Sequence, residues 1–113
     1  MKMFLDDIRE PKNDYDVIVR SFEEAVAFVK NNGIPNFISF DHDLGSDNMG
    51  NVLKDGYDFA KWLVDMDIEN IYKFPDDFSF NIHSANPIGR NNINSILNNY
   101  LIFKVRYKDT SED

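Results

Sequence analysis

The sequence contains no cysteine, so it has neither a disulfide framework nor thiolate chemistry, which fits a cytoplasmic protein. Basic residues are scarce: 12 Lys and Arg stand against 20 Asp and Glu, for a net charge of −8. Binding a nucleic-acid backbone needs clustered cations, which argues against duplex DNA or a long RNA as the main partner. Long apolar runs are missing as well. No stretch approaches the roughly 18 residues that a membrane span requires. The N-terminal "MKMFLDDIRE" reaches Asp6 and Asp7 too soon to hold a signal-peptide core. A small phosphorylated ligand stays compatible with this charge, because a bound metal ion reverses the local sign.

What is present suffices for one packed domain. With 113 residues, 42% hydrophobic and ten of them Phe, the chain can build a single core. Residues 1–108 read as that domain and 109–113 as a frayed tail. Strand and helix signals alternate. "KMFL" and "DVIV" read as short buried strands. "SFEEAVAFVKNNG" follows, with Ser21 and Glu24 at capping-box spacing, Phe22, Ala25, Val26 and Val29 on one face, and Gly33 as its stop. "FISF" is the next strand. The loop from Gly45 to Gly56, rich in Gly, Asn and Asp, is long enough to suspect function. "YDFAKWLVDM" reads as a helix with Phe59, Leu63 and Met66 inward, "FSFNI" as a strand, "NPIGRNNINSILNNYL" as a helix and "IFKVRY" as a last strand. This alternation predicts an α/β, three-layer domain: a mostly parallel open sheet of about five strands, covered on both faces.

In such sheets ligands bind beyond the carboxyl ends of the strands. Those ends carry Asp6 and Asp7, then Asp41, His42 and Asp43, then His83, Ser84 and Asn86. Either acidic group alone is explained by the acids that commonly begin turns. Gathered at one edge, unpaired carboxylates repel, and a hard divalent cation resolves that repulsion. Mg²⁺ is the expected ion, with Mn²⁺ as the alternative. His42 follows Asp41 directly and should face the other way, in a structural role. His83 is better placed for proton chemistry. Asn86 is a good N-cap and Pro87 a good first helical residue, so a helix N-terminus aims at the same edge. Gly89 would allow a ligand to approach closely, and Arg90 offers a planar fork suited to phosphate. Capping explains Asn86 and Pro87 but leaves Arg90 unexplained.

"MFLDD" followed by "ISFDHDLG" resembles the two acidic signatures of receiver (response-regulator) domains, and "IHSAN" resembles their fourth strand. More specifically, LDD-x-R-x-P, S-x-D-H-D-L-G, G-Y-D and H-S-A-N-P-x-G-R-x-N are similar to the cyclic-phosphate processing receiver-like family, from about Phe4 to Asn92. The resemblance implies a receiver- or flavodoxin-like fold. It implies that Asp6 and Asp7 are a metal-binding acid pair, that Asp41 takes the place of the phosphate-accepting aspartate, and that Ser84 falls where receivers keep Ser or Thr. Two departures stand out. The last segment offers Lys104, Arg106 and Lys108 without a following Pro, so no switch lysine is assignable. Ile8 to Tyr15 is too short for the usual helical crossover, so the first receiver helix should be reduced to a loop. His83 and Arg90 are additions to the receiver pattern and suit hydrolysis better than signalling. An EF-hand starting at Asp41 fails at Gly45, Ser46 and Val52.

The expected function is a metal-dependent phosphoesterase processing a cyclic phosphate on a nucleotide or RNA end. Asp6, Asp41 and His83 would be catalytic, and Asp6, Asp7, Asp41 and Asp43 would surround the metal. Ser84, Asn86, Gly89 and Arg90 would hold the phosphate. The partner would be a small phosphorylated ligand or cyclic nucleotide, with no membrane involved. The alternative is a non-catalytic receiver-like module that binds such a ligand without turning it over.

Overall fold

A computed structural model describes residues 1–111. Four strands, β1 (Lys2–Leu5), β2 (Val17–Val19), β3 (Phe37–Phe40) and β4 (Ser79–Ile82), form one sheet in the order β2-β1-β3-β4. Every pairing is parallel. Three helices complete the fold: α1 (Phe22–Asn32), α2 (Gly56–Ile68) and α3 (Pro87–Ser111). This is the expected receiver-like α/β class, with four strands instead of five. Among the described residues no helix is long and apolar enough to cross a membrane.

Side-chain alternation divides the sheet into two unlike faces. Met3, Leu5, Val19, Ile38 and Phe40 point one way and are buried. They share one core with Ala25 and Val29 of α1, Phe59 and Leu63 of α2, and Ile93 and Leu97 of α3. All three helices therefore cover this face, where the sequence pattern had led us to expect cover on both. The opposite face carries Phe4 and Ser39, both buried, under the loop that joins β1 to β2. Tyr15 of that loop lies 5.2 Å from the Phe4 ring and 6.2 Å from Phe37. Arg20 pins the loop by donating to the carbonyls of Asp6 (3.2 Å) and Arg9 (2.6 Å). A loop thus makes the parallel crossover that a helix would ordinarily make, as the short spacing required.

Helix starts follow local chemistry. Ser21 caps α1 by accepting from Glu24 N–H. Asp55 and Asp58 close a reciprocal capping box on α2, which extends that helix beyond the residues its apolar pattern marks. The end of α3 is where expectation and structure part. Residues 102–107, whose alternating pattern predicted a fifth strand, continue the helix. Tyr100 and Lys104, one helical turn apart, both reach Asp67 of α2, at 2.8 and 2.7 Å. Asp67 also accepts from Lys73 Nζ and Phe74 N–H. This buried carboxylate holds the helix in place and overrides the local strand pattern. Part of the expected tail, 109–111, is helical, and 112–113 lie outside the described residues.

Candidate functional site

Strand register builds the site. Phe4 pairs with Ser39, and Ser39 with Asn81, across β1, β3 and β4. Two residues further along each strand, on the same face, come Asp6, Asp41 and His83. The ladder holds each of them: Asp6 N–H donates to Val19, Asp41 N–H to Leu5 and His83 N–H to Phe40, at 2.9 to 3.1 Å. Asp6 and Asp41 are buried, and one potential ligand atom from each of Asp6, Asp41 and His83 lies within 4.8 Å of the others.

A directional hydrogen-bond chain runs into this trio. Asn81 Nδ2 lies 3.4 Å from Ser39 Oγ, which lies 2.7 Å from His83 Nδ1. His83 Nε2 in turn lies 3.0 Å from Asp6 Oδ2. Asn81 donates to Ser39 and Nε2–H to Asp6, while Ser39 donates to Nδ1 of the neutral imidazole or accepts from Nδ1–H of the imidazolium. Phe4 stacks on the imidazole at 4.4 Å and 7°, fixing its plane. The other Asp6 oxygen accepts from the N–H groups of Ile8 (3.0 Å) and Arg9 (2.8 Å).

These contacts set the electrostatics. Burial pushes the Asp6 carboxyl up, but the Arg9 and Ile8 amides and His83 outweigh it and hold it below its ordinary value. Asp41 goes the other way. Its burial and the nearby Asp6 charge raise it, against His83 and the His42 amide. Its negative charge is therefore less favourable than that of Asp6.

The family model for the cyclic-phosphate processing receiver domain matches residues 1–99 of this chain. The chain belongs to that family. No curated protein matches it. A solved structure described as a yeast Spc42 trimeric coiled coil fused to another structure is similar at 20% identity, covering 97% of this chain and 81% of that one. Its TM-score is 0.49, and a likeness of that strength carries no argument.

Other residues expected at the site of this cyclic-phosphate processing receiver domain lie around the trio, outside it. Asp7 is half-buried, with Oδ2 beside Gly45. Asp43 is exposed; its carboxylate meets His42 Nδ1 at 2.9 Å and Asn86 Nδ2 at 3.5 Å. Ser84 is buried and accepts from Asn86 N–H. Asn86 caps α3 by accepting from Gly89 N–H at 3.1 Å. Pro87 has no N–H, and the Gly89 and Arg90 amides are taken by the side chain and carbonyl of Asn86. The space above Gly89 is already used. A Cβ there would lie 2.3 Å from His42 Cγ, so the glycine makes room for an imidazole, which corrects the expectation that it makes room for a ligand. His42 is held on its other side by Asp55, 3.3 Å from Nε2. Arg90 is exposed and lines a pocket of about 320 Å³ between β4 and α3, which none of the acids lines. Lys104, in the segment where no switch lysine was assignable, is committed to Asp67.

Sequence reasoning missed Ser39 and Asn81. The signal was there: in "FISF" and "FSFNI" they are the polar residues two positions before Asp41 and His83, and so on the same face.

Proposed function

We propose that this domain is a metal-dependent phosphoesterase that opens a cyclic phosphate on a nucleotide or RNA end. The observation that carries the reading is the convergence of Asp6, Asp41 and His83 within 4.8 Å. Two carboxylates fit a hard cation, and the upward pressure on Asp41 is relieved by one. Asp6 and Asp41 would hold Mg²⁺ or Mn²⁺, with Asp7 and Asp43 nearby. Such an ion neutralises phosphoryl charge and makes water a better nucleophile at neutral pH.

The chain's own residues supply the rest. As the imidazolium, His83 would pass its Nε2 proton from Asp6 to the leaving oxygen as the ring opens and be left as neutral imidazole. Ser39 and Phe4 hold the imidazole's tautomer and plane. Ser84 and Asn86 line the approach from α3, and Arg90 binds substrate from the β4 side. One observation favours a second reading, a module that binds without turnover: Asp6 is fully buried and both its oxygens are already engaged. Turnover of 2′,3′-cyclic, 3′,5′-cyclic and linear phosphates, with and without Mg²⁺ or Mn²⁺, separates the two. Metal-dependent opening of a cyclic phosphate supports the enzyme; saturable binding with no product supports the module.

A further inference from the structure

β4 is an edge strand, and its open side forms one wall of the 320 Å³ pocket. Ser79 and His83 donate their N–H groups to Asn36 and Phe40, both at 2.9 Å. With a period of two, the amides of Phe80 and Ile82 face away from β3, onto the open edge. Arg90, Asn91 and Asn94 form the facing wall on α3. Asn94 Oδ1 accepts from Asn98, which leaves its amide N–H₂ as a donor. Arg9 and Arg20 are tied to carbonyls and carboxylates. The Arg90 guanidinium has no such partner among the described residues, in a chain with 20 acids.

We infer that this pocket is a purine subsite, holding the base of a nucleoside cyclic phosphate whose ring phosphate lies toward Asp6, Asp41 and His83. The inference rests on the phosphoesterase reading for the placement of the phosphate, but the subsite stands on its own geometry. One cation with the carboxamides of Asn91 and Asn94 beside a strand edge suits a planar donor–acceptor edge better than a dianion. Arg and Asn are among the side chains whose forks match purine edges, Arg at guanine O6 and N7, Asn at adenine N6 and N7. The pocket adjoins the acids through the chain: Asn81 and Ile82 line it, and His83 follows.

The test is an amide NMR titration of the full chain with adenosine, guanosine, cytidine, uridine and base-free glycerol 1,2-cyclic phosphate. Purine nucleosides should shift the backbone signals of Phe80 and Ile82 and the side-chain signals of Asn91 and Asn94. Pyrimidines should bind roughly tenfold more weakly, and the base-free compound should leave these signals unmoved. Asn94→Ala and Arg90→Met should each weaken purine binding by about tenfold without changing the melting temperature. Purine nucleosides that leave the pocket signals still, or pyrimidines that bind as well, overturn the subsite. Nucleoside binding without any turnover of cyclic phosphates would keep the subsite and remove the phosphoesterase reading. Equal turnover of purine and base-free cyclic phosphates would do the reverse.

Discussion

His83 Nε2 lies 3.0 Å from Asp6 Oδ2, although 77 residues separate them in the chain. That contact makes the histidine part of the acid cluster instead of a solvent-facing strand end. If it is the general acid, His83→Gln should lower turnover of a cyclic phosphate by roughly 10²- to 10⁴-fold with little change in affinity. Arg90→Ala should weaken binding and turnover together, because it holds substrate in ground and transition states alike. Measured kcat and Kd for both variants decide this; full activity in His83→Gln would make the histidine structural.

The Asp6–Asp41 pair predicts a metal response. Melting temperature should rise with Mg²⁺ or Mn²⁺ by mass action, and the rise should vanish in Asp41→Asn and Asp6→Asn. Without metal, Asp41→Asn should be more stable than the parent, because burial and Asp6 raise the Asp41 carboxyl and make its charge costly. A variant that melts lower and still responds to metal would place the ion elsewhere.

Gly89→Ala should destabilise, reversing the usual helix preference for Ala of about 1 kcal/mol. The added Cβ meets His42, whose ring Asp43 and Asp55 hold from both nitrogens. A loss of about 1–3 kcal/mol is expected, and His42→Ala should recover most of it. Gly56→Ala should cost more, about 3 kcal/mol or above, since its Cβ would lie 1.9 Å from the Asp41 carbonyl oxygen. Denaturant melts of Gly89→Ala, of Gly89→Ala combined with His42→Ala, and of Gly56→Ala test both claims.

Asp67 predicts acid sensitivity at the far end of the domain. Burial pushes its carboxyl up, but Lys104, Lys73, the Phe74 amide and Tyr100 hold it at about 2, well below its ordinary 3.8. A depressed carboxyl contributes stability above its unfolded pKa and loses it as pH falls through the folded value. The contribution is on the order of 2 kcal/mol and should disappear between about pH 5 and pH 2. Unfolding free energies across that range should fall more steeply for the parent than for Asp67→Asn. At neutral pH Asp67→Asn should lose about 2 kcal/mol, because the partly exposed Lys73 and Lys104 ammonium groups lose their anionic partner and are left to solvent. Parallel pH curves would remove Asp67 as the cause.

Local patterns were enough to mark where β1, β3 and β4 lie, where the helices begin and which acids end the strands. Ser21 and Asn86 cap the helices from within a few residues, and "FISF" is apolar enough to be buried in any packing of this chain. The same patterns also identified the family through the residues around Asp6, Asp41 and His83. What they could not determine depends on contacts between distant parts of the chain. "IFKVRY" alternates like a strand, yet Asp67 binds Tyr100 and Lys104 and makes it helix. Gly89 reads as an opening for a ligand until the ring of His42, 47 positions earlier, is found in that space. Six acids and histidines stand at the strand ends on paper. The β2-β1-β3-β4 register brings Asp6, Asp41 and His83 into one row, with Ser39 and Asn81 behind them. A one-residue slip in that register would turn each of these side chains to the opposite face, so only the assembled sheet decides which residues meet.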